Sequence, residues 1–416
     1  MSAIPSVRCE SCGTHADDPF ALAGCRSCGG TLAVSHEPPR LRGAALRELF
    51  DSRRGAPDAS GPEATSGVWR FRELILDADP HGIVTLGEGR TPLIASDAIR
   101  RFTGVDSISV KHEGLNPTGS FKDRGMTVAI THARLVGARA VLCASTGNTS
   151  SSLAAYAAHA GIPAVVLIPL GKVSPGKMAQ TMAYGARTLL VRGDFDDCMR
   201  LAREAATRLK AYLANSLNPW RIQGQKTIML DLLQQCAWKA PDWVALPAGN
   251  LGNTAAFGRA LVQARELGLI DRIPRLLCVQ ASGAAPFAKS FASGFAQRER
   301  VKAETVASAI RIGDPASWDR AVLSIRATDG VVTAVTDDAI LAAQAEISRA
   351  GIGCEPASAA SVAGVRAMRE QGVIARDHRV VAVLTGHLLK DPSAAVADSL
   401  TLEVDATVES IERALP

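Results

Sequence analysis

From Val110 onward the chain alternates short apolar runs with stretches whose apolar positions recur every three or four residues. The runs ARAVLCAS (138–145), IPAVVLIP (162–169), RTLLVRG (187–193), DWVALPAG (242–249), RLLCVQAS (275–282) and HRVVAVLTG (378–386) have the length and branched content of strands. Between them TSSSLAAYAAHAG, DDCMRLAREAATRLK, NTAAFGRALVQARELG and DAILAAQAEISRAG follow the helical period. Strands that are apolar on both faces and alternate with helices predict an α/β protein with parallel sheets covered on both sides. Ligands then gather where strand C-termini meet helix N-termini. A Pro/Gly/Ser-rich stretch, Arg53 to Gly67, reads as a loop or linker, and no internal repeat is visible.

Three junctions in this pattern carry chemistry. In LNPTGSFKDRG (115–125) the apolar positions that follow, Met126, Ala129, Ile130, Ala133 and Val136, have helical spacing, and Ser120 and Asp123 have the spacing of a capping box. Lys122 is thereby predicted in the first turn of a helix. The macrodipole there disfavours a cation, which would lower the amine's pKa and make it a better nucleophile. The plain alternative is a solvated lysine on an ordinary helix. STGNTSSS (145–152) and PAGNLGNT (247–254) each follow a strand and open a helix. Backbone N–H groups at such helix starts bind anions, although a simple turn has the same composition. Neither junction continues into the GKS or GKT of a P-loop, and neither has the GxGxxG of a dinucleotide site.

With 416 residues, 47% hydrophobic and 21% charged, the chain is long enough for two domains with cores of their own. No window approaches a membrane span and the first thirty residues lack an apolar signal core, so a cytoplasmic protein with no membrane partner is expected. The net charge of +5 is mildly basic, and no Lys/Arg run is long enough to suggest a nucleic-acid partner. Small anionic ligands suit that balance. Of the nine cysteines, Cys9, Cys12, Cys25 and Cys28 form paired CxxC motifs twelve residues apart, the spacing of a four-thiolate structural zinc site. A redox pair or a remnant without metal is the alternative. The other five lie among apolar neighbours, as buried thiols do in a reducing compartment.

An activated lysine together with an anion cradle is what pyridoxal phosphate requires. The motifs LGEGRTPL, KHEGLNPTGSFKDRGM, ASTGNTSSSLAAYAAHAGI, ANSLNPWRIQGQKT, PAGNLGNT, SAIRIGDPASW, CEPASAASVAG and TGHLLKDP, in this order, resemble the pyridoxal-phosphate-dependent threonine synthases over nearly all of the chain after the cysteine segment. The resemblance implies a fold-type II enzyme with two three-layer αβα domains, mostly parallel sheets and a zinc-ribbon-like segment at the N-terminus. The expected organisation is a ribbon over 1–40, a large cofactor-binding domain from 41–115 and 221–416, and a small mobile domain over 116–220. A homodimer is a further family expectation.

By the same resemblance Lys122 would hold the cofactor as a Schiff base and shuttle protons. Asn148 would meet the cofactor's phenolic oxygen, Gly249, Asn250, Leu251, Gly252, Asn253 and Thr254 would cradle its phosphate, and Thr385 would face the pyridine nitrogen. Ser145, Thr146, Thr149, Asn215, Ser216 and Arg221 would hold a phosphorylated amino-acid substrate, although Asn215 and Arg221 taken alone also read as turn chemistry and a surface cation. The implied reaction converts O-phospho-L-homoserine and water to L-threonine and phosphate. TGHLLKDP carries Leu388 where the family usually has a glycine-like residue, which implies added bulk beside the ring-nitrogen partner. The alternatives are therefore β- or γ-replacement on a related activated amino acid, as in cysteate synthesis, and a zinc-ribbon binding protein with an inactive enzyme body.

Overall fold

The computed structural model describes residues 5–20, 22–171, 175–392 and 402–414. Along the chain run strands β1 (Ser6–Cys9) and β2 (Leu32–Ser35), helices α1 (Gly43–Gly55) and α2 (Pro62–Thr65), strand β3 (Leu93–Ala95), helix α3 (Asp97–Thr103) and strand β4 (Ser107–His112). Next come α4 (Lys122–Leu135), β5 (Val141–Ala144), α5 (Asn148–Ala160), β6 (Ala164–Pro169), α6 (Pro175–Ala183), β7 (Arg187–Val191), α7 (Phe195–Leu209) and β8 (Tyr212–Leu213). The remainder is α8 (Pro219–Gln235), β9 (Trp243–Pro247), α9 (Gly252–Glu266), β10 (Arg275–Ala281), α10 (Pro286–Ala292), α11 (Trp318–Ala327), β11 (Val331–Val335), α12 (Asp337–Arg349), α13 (Pro356–Glu370), β12 (Arg379–Leu384) and α14 (Val408–Ala414).

All six strands expected from the apolar runs are present. Strands β1, β2, β3, β4, β8 and β11 were not singled out by their sequence, and of these β1, β2, β3 and β8 run for only two to four residues, which carry little periodicity. The stretch taken for a linker is instead built from the end of α1, a 3-10 turn at Asp58–Ser60 and the one-turn α2, which starts on Pro62. Proline at a first helical position loses no hydrogen bond, so a Pro-rich composition here is compatible with short helices.

Two sheets organise the molecule. The six-stranded sheet has the order β11-β10-β9-β12-β4-β3, parallel except for the antiparallel edge strand β3. The four-stranded sheet β7-β6-β5-β8 is wholly parallel. Because side chains alternate across a strand, each central strand feeds two cores. Val244 and Leu246 of β9, Cys278 of β10, and Val381 and Val383 of β12 pack beneath α8, α9 and α11. Trp243, Ala245, Leu277, Val279, Val380 and Ala382 face the opposite way, towards α12 and α13. The small sheet divides likewise, with Val141, Cys143, Val166 and Ile168 towards α4 and α5, and Leu142 and Leu213 towards α7.

Helices α4 and α8 tie the two halves together by an unusually close approach. A Cβ on Gly224 would lie 1.8 Å from the Arg124 carbonyl oxygen, and one on Gly125 would lie 2.9 Å from the Arg221 carbonyl oxygen. Buried charges fasten the same joint. Arg124 donates to both oxygens of Glu113 at 2.7 Å and to Asp231 at 2.8 Å, and Lys111 donates to Asp231 at 2.7 Å. Every charge in this network has an opposite charge within hydrogen-bond range, which is the condition for burying it. The ribbon β1/β2 docks on the same body, with Arg259 donating to the Val34 carbonyl and Arg320 to the Leu32 carbonyl.

Candidate active site

The C-terminal ends of β4, β5, β8, β9 and β12 converge on one cleft of about 830 Å3 between the two sheets. Ligand sites of open parallel sheets form at such ends, because each strand hands the chain to a loop or a helix N-terminus there.

Lys122 is the first residue of α4 and lines the cleft, half-buried, with its Nζ 4.2 Å from the centre of the Phe121 ring. The loop before it pairs with the segment after β12: the Phe121 N–H donates to the Thr385 carbonyl and the His387 N–H to the Gly119 carbonyl, each at 2.9 Å. Lys122 is thus held across from Thr385. Burial brings its amine down to about 7, with the positive charge of Arg221 acting in the same direction and Glu355 opposing both. The helix start is therefore not the leading cause that the sequence suggested.

The capping box does not form either. The Asp123 carboxylate accepts from the Thr118 N–H at 2.7 Å, the Thr118 hydroxyl at 2.6 Å and the Ser152 hydroxyl at 2.6 Å, and no side chain caps α4. Asp123 stiffens the loop before the lysine instead. Burial nevertheless raises its carboxyl to about 6 against those three donors.

Opposite the lysine, the loop after β9 enters α9 through Leu251, a non-glycine residue at φ +63°. Such backbone conformations cost energy and persist where surrounding structure imposes them. A Cβ on Gly249 would lie 2.9 Å from Ile310 Cα and 3.2 Å from the Ala309 carbonyl oxygen, so only glycine lets the 308–312 loop close over this turn. Asn250 holds that loop by accepting from the Ala316 N–H at 2.9 Å and donating to the Ser216 hydroxyl at 3.4 Å. The Asn253 side-chain oxygen is buried without a partner. This turn, opening onto the N–H groups of the first turn of α9, has the donors and the close approach that a phosphate cradle needs. With a low-pKa amine across from it and a hydroxyl at Thr385, the residues fit pyridoxal phosphate.

The other expected residues fall into two groups. Ser145, Thr146, Asn148, Thr149, Ser216, Gly249, Asn250, Leu251, Gly252, Asn253 and Thr385 line the cleft with Lys122. Thr254, Asn215 and Arg221 stand behind its wall. The Thr254 hydroxyl pairs with Cys278 Sγ at 3.4 Å, and the Asn215 amide both accepts from and donates to the backbone of Ala144 at 3.0 Å. Asn215 thereby fixes the chain entering Ser145. Arg221 is fully buried and donates to the Ala214 carbonyl at 3.1 Å, while its Nε and Nη2 have no partner. No carboxylate pairs with it among the described residues, and burial lowers its guanidinium to about 10.

Several cleft residues were not picked out in sequence. Asn148 Nδ2 donates to the Glu355 carboxylate at 3.2 Å, and Glu355 is buried with its carboxyl raised by that burial. Gln225 lines the cleft with a buried, unpartnered side-chain oxygen near Gly252. Lys390 joins the segment after β12 to Ser151 at 3.0 Å and Gln180 at 2.5 Å. Glu355 and Lys390 lie inside CEPASAASVAG and TGHLLKDP, but only folding shows that they meet the lysine's cleft. Leu388 departs from its expected position: it packs on Gly353, where a Cβ would stand 3.0 Å from its own Cβ, and it does not line the cleft. Its neighbour Leu389, 72% exposed, faces the cleft mouth instead.

The four N-terminal thiols form a separate site. Cys9 and Cys28 sulfurs are 3.5 Å apart, Cys12 and Cys25 3.6 Å, and Cys28 and Cys12 3.4 Å, with all four within 4.8 Å of one another. Thiolates at zinc–sulfur distance on a tetrahedron stand about 3.8 Å apart, so this donor set fits zinc.

The chain is similar to known proteins along its whole length. The pyridoxal-phosphate dependent enzyme family matches residues 84–386. The threonine synthase of Methanosarcina acetivorans is 43% identical over 414 residues, 98% of each chain, and that of Mycobacterium tuberculosis H37Rv is 48% identical over 345 residues, 81% of this chain and 93% of its own. Among solved structures, the threonine synthase of Escherichia coli superimposes with a TM-score of 0.71 at 20% identity, covering 98% of this chain and 94% of its own, a likeness of fold. With its fold, its lysine-bearing cleft and these relatives in agreement, the chain belongs to the pyridoxal-phosphate-dependent enzymes and, within them, to the threonine synthases.

Proposed function

We propose that the chain converts O-phospho-L-homoserine and water to L-threonine and phosphate. The observation that carries this substrate is Arg221, a fully buried guanidinium with two unpartnered nitrogens and no carboxylate against it among the described residues, standing behind the wall that bears Ser145, Thr146, Thr149 and Ser216. A buried charge without an anion is costly, and a dianionic phosphate at this wall offsets that cost. The hydroxyls of Ser145, Thr149 and Ser216 donate to phosphate oxygens, and Asn215, through Ala144, holds Ser145 in place.

The cofactor would be held by Lys122, by the turn from Gly249 through Asn253 with the Thr254 N–H, by Thr385 at the ring nitrogen and by Asn148 at the phenolic oxygen. It supplies an electron sink for carbanions next to the amino-bearing carbon, and because a hydroxyl does not hold the ring nitrogen protonated, that sink is a moderate one. Lys122 then does the proton work. An amine held near neutrality exists as the free base at working pH and both takes and returns protons efficiently. Glu355, buried against Asn148, fixes which way that amide faces. Closure of the cleft by a small domain over 116–220 would exclude water until phosphate has left.

The four thiolates hold a structural zinc ion in this reading, and the family resemblance supports a homodimer. All nine cysteines are free, which supports a reducing, cytoplasmic setting. The test is to offer O-phospho-L-homoserine and O-phospho-L-serine separately, beside a Lys122→Ala control, and to identify amino-acid product and phosphate. Threonine and phosphate from the first substrate alone, lost in the control, is the expected result. Turnover of phosphoserine only would move the assignment to a β-replacement enzyme.

A further inference from the structure

In the segment after β12, the Asp391 carboxylate accepts from the Ser308 hydroxyl at 2.5 Å, which holds the segment on the side of the six-stranded sheet. Its neighbour Lys390 reaches the opposite way. The Lys390 ammonium donates to the Thr118 carbonyl at 3.1 Å, to the Ser151 hydroxyl at 3.0 Å and to the Gln180 side-chain oxygen at 2.5 Å. Ser151 belongs to α5 and Gln180 to α6, the helices that follow β5 and β6 of the four-stranded sheet, so one side chain fastens both helices to the other half of the molecule. Its stem passes against the loop before Lys122 at Gly119, which has φ +85° and where a Cβ would lie 3.2 Å from Lys390 Cδ.

The three acceptors are neutral and match the three donors of an ammonium, so Lys390, although it lines the cleft, is engaged by the protein itself and not held ready for an anionic substrate. Its influence on the reaction is indirect. The first turn of α5 carries Asn148 and Thr149, and the loop entering it carries Ser145 and Thr146, so the placement of α5 decides how these side chains stand against Lys122. A second tie, from Asn148 to Glu355 at 3.2 Å, crosses between the same halves.

We propose that Lys390 is a positioning residue: it latches α5 and α6 onto the segment that bears Thr385 and so holds the cleft in its substrate-binding form. The inference rests on the reading of this cleft as a site for a phosphorylated amino acid. Hydrogen bonds from a charged donor to neutral acceptors are firm enough to hold two helices and weak enough to let them go, as a cleft that must open for its product requires. When substrate binds only the closed form, the apparent affinity falls with the fraction of enzyme that is open, so loss of a latch is read in KM more than in kcat.

The test is hydrogen exchange of the cofactor-loaded enzyme, read by mass spectrometry, beside steady-state kinetics on O-phospho-L-homoserine. Lys390→Met is expected to speed exchange in the first turns of α5 and in α6 about tenfold, with α8 and β12 at wild-type protection and the cofactor's absorbance unchanged, and to raise KM about tenfold with kcat held within about threefold. Gln180→Ala, at the other end of the latch, is expected to shift the same segments by less, and the double variant to match Lys390→Met, because the second substitution removes a contact already lost. Gln180→Ala also keeps the test valid if Lys390→Met fails to fold. Unchanged exchange in α5 and α6, effects that add in the double variant, or a loss confined to kcat would overturn the proposal. Faster exchange confined to α5 and α6, in an enzyme whose wild type leaves O-phospho-L-homoserine unconverted, would uphold the latch and remove the functional reading instead.

Discussion

Lys122 and Arg221 share a desolvated region and act on each other, and this makes both testable singly. With the amine at about 7, the reactive neutral form of Lys122 rises through pH 7, whereas a solvated lysine stays protonated until near its ordinary 10.5. In protein stripped of cofactor, dinitrophenylation of Lys122 followed by peptide mass spectrometry is expected to show a midpoint about three units below that of surface lysines. A midpoint near 10 would mean that the amine is solvated. Arg221→Met is expected to lower turnover by roughly two or more orders of magnitude through lost phosphate binding. It is also expected to raise stability by on the order of 1 kcal/mol in phosphate-free buffer, since it removes a buried guanidinium that has no counter-charge. Urea denaturation of both proteins, with and without inorganic phosphate, reads the second effect, and a destabilised variant would show that the guanidinium is already satisfied.

At the scale of elements, the crossing of α4 and α8 controls where Lys122 points. Gly224 and Gly125 let the two backbones touch, and the Arg124–Glu113–Asp231 network clamps the crossing. Gly224→Ala inserts a methyl group where the Arg124 carbonyl stands, so the helices must part. The expected cost is about 2–4 kcal/mol, with weakened cofactor retention, measured by denaturant midpoint and by the cofactor's absorbance after gel filtration. Retention at wild-type level would show that α4 moves without dragging the lysine. Both glycines lie in stretches that carry the family resemblance, but nothing in the sequence assigned them this role, because the requirement comes from a helix about a hundred residues away.

At the scale of the whole molecule, the ribbon shares one apolar core with α4 and α5 through Val7, Leu22, Leu32 and Val34, and its own order is expected to depend on its thiols as well. Cys9 and Cys25 are buried, and β1 and β2 share four residue pairs, too few for a hairpin to persist in water without a staple. One zinc ion per chain is expected by elemental analysis. Cys12→Ser is expected to lose that metal and to expose the ribbon to proteolysis near residue 36, while threonine formation falls by less than about tenfold, because no ribbon residue lines the cleft. A metal-free wild-type protein with a protected ribbon would remove the zinc reading. The paired CxxC motifs announced this site in sequence because metal ligation restricts spacing directly, whereas the docking of the ribbon was invisible there. It is made where Glu10 reaches Arg259 and Arg320 across more than two hundred residues.

By itself the sequence determined what local chemistry encodes. The apolar runs named the central strands, the helical period named α5, α7, α9 and α12, and small polar residues at strand-to-helix junctions named Lys122 and the turn from Gly249 to Asn253. Their resemblance to a known family supplied roles for them. Only the tertiary structure decided which of those residues face the cleft and what surrounds them. Folding turned Asn215 and Thr254 onto protein partners, set Arg221 behind the wall without a counter-charge, moved Leu388 onto Gly353, and brought Glu355, Gln225 and Lys390 to the site. The division has one physical reason. Strand and helix periods are properties of neighbouring residues, but burial, charge pairing and desolvation depend on groups that the chain separates and folding brings within a few ångströms.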